Sequence, residues 1–171
     1  MIGAIAGDVI GSVYENLRTK RKDFRLFTPL STFTDDTVLT VAVSDAILQD
    51  ADYGETIKRY ARKHPMRGYG PRFLKWMATP GIKPYNSFGN GSAMRVSPVA
   101  YAFDTEDAVR NAVSLGGDAD TQACIAGAIA EAHYGGVPPE IADKVIRKLS
   151  LDLRHIVETF CARYEISLFQ S

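Results

Sequence analysis

The sequence is poor in cysteine and has no excess of either charge. Its 171 residues include two cysteines, Cys124 and Cys161, which lie in helix-like segments without the Cys-x-x-Cys spacing of metal or redox sites. We therefore expect a reduced protein of the cytoplasm. The 20 basic and 20 acidic side chains cancel, whereas a sequence-neutral nucleic-acid binder normally carries a basic excess. General binding to DNA or RNA is disfavoured.

Long hydrophobic runs are absent as well. No apolar stretch approaches the roughly 20 residues that a membrane span needs, and the N-terminus lacks the charged region and cleavage site of a signal peptide. We therefore expect no membrane partner. With 46% hydrophobic residues, a chain of this length can bury a core of its own. We predict one domain over residues 1–171 and favour a monomer.

The alternation of polar and apolar residues that marks a half-buried strand is nearly absent, and helical periodicity dominates instead. In the first segment, residues 2–13, Gly3, Gly7 and Gly11 recur every fourth residue, which predicts close contact with another helix because each glycine weakens the helix by about 1 kcal/mol. Further helices are predicted over residues 34–49, 51–62, 73–77, 92–103, 105–114, 120–134, 138–149 and 153–164. The pattern predicts an all-α fold.

Three acidic sites stand at predicted helix ends or tight turns. They are Glu15, the Thr-Asp-Asp-Thr run of residues 34–37, and the Gly-Gly-Asp-Ala-Asp-Thr run of residues 116–121. Helix capping is one interpretation, since acidic and hydroxyl side chains are favoured at helix N-termini. A metal site is the other, because carboxylates and threonine hydroxyls without nearby His or Cys are the ligands of Mg²⁺, Mn²⁺ or Ca²⁺.

Convergence of these sites would place five carboxylates in one pocket, and they would repel one another. Two divalent cations would relieve that repulsion, and a dinuclear centre can also supply a nucleophilic hydroxide near neutral pH. Two glycine-rich loops lie between the acidic runs, at residues 67–70 and 87–95. Each has the composition of a phosphate-binding turn, although ordinary capped turns are more common. Tyr69 and Phe88 either stack on a ligand base or pack in the core.

Taken together, these motifs resemble the ADP-ribosylglycohydrolases. The motifs that carry the resemblance stand in the family's order at residues 3–11 with Glu15, 34–37, 67–70, 89–95 and 117–121. The resemblance implies a compact, single-domain orthogonal helical bundle with two Mg²⁺ or Mn²⁺ ions in a central cleft. It also implies an enzyme, a glycosidase that hydrolyses the bond between ADP-ribose and an acceptor. That acceptor is commonly an arginine guanidinium of a protein.

The resemblance also implies roles for individual residues. Asp8 would fix the first helix, while Arg95 would contact phosphate or form a helix-packing salt bridge. Glu15, Asp35 and Asp36 would be catalytic, acting on the attacking water. The metal ligands would be Thr34, Asp35, Asp36, Asp118, Asp120 and Thr121. The ligand-binding residues would be Gly68, Tyr69, Gly70, Ser87, Phe88, Gly89, Asn90, Gly91 and Ser92.

Three alternatives remain open at this point. The same chemistry could act on other ADP-ribose linkages, namely serine, O-acetyl-ADP-ribose or nucleic acid, so that the substrate is either a modified protein or a small molecule. The chain could instead be a non-catalytic module that binds ADP-ribose or a metal. It could also be a purely structural helical domain with acidic caps, which predicts no stabilisation by Mg²⁺.

Overall fold

The computed structural model describes residues 2–17, 20–83, 91–114 and 119–167. All regular secondary structure in these ranges is helical, which confirms the all-α prediction. None of the helices there is long and apolar enough to cross a membrane. In chain order they are α1 Ile2–Gly11, α2 Tyr14–Leu17, α3 Asp35–Leu48, α4 Tyr53–Lys63, α5 Pro71–Ala78, α6 Gly91–Met94, α7 Ser97–Ala102, α8 Thr105–Ser114, α9 Ala119–Tyr134, α10 Pro139–Lys148 and α11 Leu151–Arg163.

Helix α3 is the central element of the fold. It is apolar on more than one side, as expected of a helix surrounded by others. Val43 joins a core formed with α7, α8 and α9, while Val38 and Leu39 join a second core formed with α4 and α5. Because both cores hold α3, its N-terminal turn is presented at a fixed position.

The first core is built mainly from alanines. Ala108 and Ala112 lie one turn apart on α8, and Ala126 and Ala130 do so on α9; all four are fully buried. Small side chains let the two helix axes approach closely. At Gly127 of α9 an added Cβ would lie 3.4 Å from a methyl group of α8, which explains why this helix is rich in small residues.

The second core is aromatic and lies beneath the loop of residues 67–70. Phe73 and Trp76 of α5 are buried there against Ala61 of α4. The ammonium group of Lys58, which is also buried, lies 4.7 Å from the centre of the Trp76 ring and 3.1 Å from the Glu55 carboxylate. These contacts give the loop a rigid base beside α3.

The single helix predicted over residues 92–103 is wrong, because the chain forms two helices, α6 and α7. Pro98 explains the interruption. Proline has no N–H to bond the carbonyl four residues earlier, and its ring clashes with that carbonyl. The carbonyl concerned belongs to Met94, and the buried hydroxyl of Thr40 donates to it at 3.5 Å.

The close helix contact expected at the glycines of α1 is also wrong. Among the described residues, no atom lies within 4 Å of a Cβ added at Gly3, Gly7 or Gly11. Helix α1 also ends at Gly11, two residues earlier than predicted, where the Ser12 hydroxyl donates to the Val9 carbonyl at 2.9 Å. Asp8 of α1 instead makes polar contacts with the start of α3.

Candidate active site

Asp8 joins α1 to the start of α3. Its Oδ2 accepts hydrogen bonds from the backbone N–H groups of Thr34 at 2.9 Å and Thr37 at 3.1 Å. The Thr34 hydroxyl donates to Oδ1 at 2.6 Å, and the Thr37 hydroxyl donates to Oδ2. Four donors from one turn of α3 therefore converge on one half-buried carboxylate, as a buried charge requires.

Thr34 also caps α3. Its backbone is extended, with φ −113° and ψ −167°, and its Oγ1 accepts a hydrogen bond from the Asp36 backbone N–H at 3.3 Å. This is the capping arrangement that the sequence offered as one interpretation. Because Thr34 is the cap, the side chains of Asp35 and Asp36 remain available for another role.

Asp35 and Asp36 carry negative charge that their surroundings do not compensate. Burial raises the pKa of Asp36 to about 6, and the charges of Asp35, Asp8 and Glu15 act in the same direction. Burial likewise raises the pKa of Asp35. Arg95 lowers both pKa values, but its effect is smaller than that of burial. A helix N-terminus normally favours carboxylates, so burial and like charge outweigh it here.

The loop of residues 67–70 closes over one side of this pair. The Arg67 carbonyl accepts a hydrogen bond from the Asp35 backbone N–H at 2.8 Å. The Arg67 guanidinium lies 3.8 Å from the centre of the Phe33 ring and donates to the Phe33 carbonyl at 3.3 Å. Gly68 has φ +104°, and an added Cβ would lie 3.0 Å from the Asp35 Oδ1. Only glycine fits this close approach.

Tyr69 packs in the core, which is one of the two roles that the sequence left open for it. Its ring is 7% exposed and stacks on Phe73 with 5.1 Å between ring centres, while its hydroxyl donates to the His64 carbonyl at 3.0 Å. Burial raises its pKa to about 12, and the charge of Asp35 adds to the effect. In this arrangement the ring supports the loop from below and leaves no open face for a ligand.

Other predicted site residues are placed less completely. Glu15 is exposed on the short helix α2, rather than at the end of α1, and its charge reaches Asp35 and Asp36. Gly91 and Ser92 begin α6 and are half-buried. Asp120 is exposed and Thr121 half-buried in the first turn of α9, which packs against α6. The remaining predicted residues, Ser87, Phe88, Gly89, Asn90 and Asp118, lie outside the described residues.

The donors at the start of α3 are suited to a hard divalent cation. Thr34, Asp35 and Asp36 offer only oxygen atoms, and the raised pKa values show charge that a cation would neutralise. Within the described ranges, no three His, Cys, Asp or Glu side chains are grouped closely enough to hold a metal ion. The predicted ligand set also includes Asp118, which those ranges do not contain.

The sequence analysis did not identify two features of the site. Thr37 was not among the predicted ligands, although its spacing of three from Thr34 places both hydroxyls on one face of α3 and was a usable signal. Arg95 had two interpretations, and the structure places its charge near Asp35 and Asp36. The sequence held no signal for that position, because it depends on how α6 packs against α3.

The two glycines of the 67–70 loop give a matched test of its geometry. We expect Gly68→Ala to destabilise the protein by about 1–3 kcal/mol, because a side chain is strained at positive φ and would press on Asp35. Gly70→Ala is the control, because Gly70 has φ −65° and ψ 152°, which any residue adopts, and an added Cβ there would meet no atom of the described residues within 4 Å. Chemical denaturation of both variants checks this, and equal losses of stability would contradict the described loop.

Comparison with known proteins agrees with the architecture and the motifs. The family model for ADP-ribosylglycohydrolase matches residues 1–109 and 101–166. The chain is 30% identical over 141 residues to ADP-ribosylhydrolase ARH3 of Danio rerio, a match covering 64% of this chain and 38% of that protein. It is 26% identical over 134 residues to ADP-ribosylhydrolase ARH3 of Xenopus tropicalis, covering 60% of this chain and 38% of the relative.

The extent of these matches differs between the family and the individual relatives. The chain spans 38% of the length of each of the two ARH3 proteins. The family model, in contrast, extends over nearly the whole of the chain. On that match, the chain belongs to the ADP-ribosylglycohydrolase family.

Proposed function

We propose that this protein hydrolyses the bond between ADP-ribose and a modified acceptor, with the start of α3 as its reaction centre. The observation that carries the proposal is the half-buried pair Asp35 and Asp36, whose pKa values are raised by partial burial and by the charges of Asp8 and Glu15. Perturbed carboxylates beside a rigid loop are typical of active sites. Their position in the family's Thr-Asp-Asp-Thr motif agrees with this assignment.

Two divalent cations, Mg²⁺ or Mn²⁺, belong to the proposal. Thr34, Asp35 and Asp36 would hold them together with Asp118, Asp120 and Thr121. When bound, such ions polarise water and neutralise developing negative charge. The donor set supports the assignment, because hard oxygen ligands are the ones these ions prefer.

In the proposed reaction, water attacks the anomeric carbon of the ribose. One proton of the water passes to a carboxylate of the group Glu15, Asp35 and Asp36, and the carbon–nitrogen bond to the guanidinium breaks as the carbon–oxygen bond forms. The guanidinium leaves with the electron pair of that bond as a neutral guanidine, which then takes one proton from solvent.

The loops would position the rest of the substrate. Gly68 brings backbone close to Asp35, and Gly91 and Ser92 begin α6 beside α3 and α9. We propose that these residues, with Ser87, Phe88, Gly89 and Asn90, hold the diphosphate and riboses. Tyr69 contributes by supporting the loop from within the core.

The proposal also specifies the acceptor to which ADP-ribose is linked. We propose an arginine-linked protein substrate in the cytoplasm, handled by a monomer. Release of free ADP-ribose should be compared among arginine-linked, serine-linked, O-acetyl and nucleic-acid substrates in the presence of Mg²⁺ or Mn²⁺. The arginine-linked substrate should react fastest. Faster release from serine-linked protein would overturn the acceptor, and ADP-ribose binding without release from any substrate would favour the non-catalytic module.

A further inference from the structure

The hydrogen bonds of Asp8 do more than attach α1 to the start of α3. Two of its four hydrogen-bond donors are threonine hydroxyls, and both belong to the turn that carries Asp35 and Asp36. The two backbone N–H groups of that turn both donate to Oδ2, and the Thr34 hydroxyl satisfies Oδ1. The additional hydroxyl bonds determine how the two threonines are oriented.

The direction of the Thr34 hydroxyl follows from its contacts. A hydroxyl has one proton and two lone pairs. The proton of Thr34 is donated to the Asp8 Oδ1 at 2.6 Å, and one lone pair accepts from the Asp36 backbone N–H at 3.3 Å. One lone pair is left over, and its direction is fixed because the other two positions are used. A cation can be bound only through such a lone pair.

We infer that Asp8 is a positioning residue, which turns the Thr34 hydroxyl and the first turn of α3 so that their oxygens face a divalent cation held by Asp35 and Asp36. The inference rests on the proposed function, since it concerns the same cation site. It assigns Asp8 no contact with substrate or metal. Hydrogen-bonding partners of this kind orient metal ligands in many proteins, and their loss typically costs about 10–100-fold in metal affinity.

Ser12 provides a matched control from the same part of the molecule. Its hydroxyl accepts a hydrogen bond from the Thr32 backbone N–H at 3.2 Å and so also joins the end of α1 to the segment before α3. It has no hydrogen bond to Thr34 or Thr37 among those of the described residues. Ser12→Ala therefore weakens the junction without releasing either threonine hydroxyl.

The test is calorimetric titration of Mn²⁺ into the full chain and its variants. Asp8→Asn keeps the shape of the side chain, but its NH₂ group cannot accept a hydrogen bond. When the amide oxygen takes the Oδ2 position with its three donors, the NH₂ group faces the Thr34 hydroxyl, which must turn. We expect its Mn²⁺ affinity to fall about 10–100-fold, while Ser12→Ala stays within about twofold of the unsubstituted protein. Equal affinities for the two variants would overturn the inference.

A second pair of variants keeps the inference testable if Asp8→Asn does not fold. Thr34→Ser keeps the hydroxyl and should bind Mn²⁺ nearly normally, whereas Thr34→Val keeps the shape and should lose affinity as Asp8→Asn does. In the double variant Asp8→Asn with Thr34→Val, the two losses should not add, because both act through one oxygen. Normal Mn²⁺ binding by Thr34→Val would overturn the inference.

The outcomes separate this inference from the proposed function. Suppose that the unsubstituted protein binds Mn²⁺ and the variants rank as expected in Mn²⁺ affinity, but no ADP-ribose is released. The proposed function then fails and the role of Asp8 stands. If it releases ADP-ribose and Asp8→Asn binds Mn²⁺ normally, the role of Asp8 alone fails. If it binds no Mn²⁺, both fail.

Discussion

The Asp36→Asn variant should unfold at a higher temperature than the unsubstituted protein at neutral pH without divalent cations, and it should gain no stability from Mg²⁺. The pKa of Asp36 is about 6 in the folded protein, above its ordinary value of 3.8. The folded state therefore binds a proton more tightly than the unfolded state does. The stability that this difference contributes is complete below about pH 4 and is lost as the pH rises through about 6.

At pH 7.5 the ionised Asp36 therefore opposes folding, and an amide of the same shape removes that cost. In the unsubstituted protein a cation should replace the proton. A ligand at 100 times its dissociation constant stabilises the folded state by about 2.7 kcal/mol. That corresponds to roughly 5–11 °C in Tm for a domain of this size. The Mg²⁺ effect should be larger at pH 7.5 than at pH 5, where protons compete with the ion.

Thermal unfolding with chelator and with Mg²⁺, at both pH values, checks these expectations. Asp45→Asn is the control, because Asp45 lies on the same helix but forms an ion pair with Arg59 at 2.7 Å. That variant should keep the full Mg²⁺ effect. An Asp36→Asn protein that Mg²⁺ stabilises as much as the unsubstituted one would show that Asp36 is not a cation ligand.

The Asp120→Ala variant should lose turnover and keep its fold. Asp120 is exposed in the first turn of α9, so its replacement by alanine leaves the buried core of the protein unchanged. The proposed role as a cation ligand predicts a much larger effect on the reaction, because the remaining ligands would no longer hold the ions in place.

Asp107 of α8 offers a matched control for this variant. It is also an exposed acidic residue in the first turn of a helix, and the proposal gives it no part in the site. The two alanine variants should have similar Tm values in chelator, and only Asp120→Ala should lose ADP-ribose release. Unchanged kcat and KM in Asp120→Ala would remove Asp120 from the proposed ligand set.

The helices were predictable to the extent that their signals are local. Helix α8 covers its predicted range, and α3 and α9 each begin within one residue of their own predicted start. Apolar periodicity and capping residues mark these helices directly in the sequence. The break before α7 was also readable, since Pro98 interrupts a helical pattern. The exposed glycines of α1 were not, because their spacing shows that a small-residue face exists but not what lies against it.

The site was predictable in its residue types but not in its contacts. The Thr-Asp-Asp-Thr run identified the start of α3 by itself. The bonds from Asp8 to Thr34 span 26 residues, and no sequence spacing encodes the packing of α1 that brings them together. The position of Tyr69 likewise depends on its stacking with Phe73 and on the buried Trp76 beneath, so an exposed ligand contact and a core contact looked alike in the sequence.

The measurement that tests the central claim most directly is the release of free ADP-ribose from a mono-ADP-ribosylated arginine substrate, with excess chelator and after addition of Mg²⁺ or Mn²⁺. We predict release that stops with chelator and returns with either ion. Release that continues unchanged in chelator would contradict the cation-dependent site at the start of α3, and no release with any ion would contradict hydrolysis of this linkage.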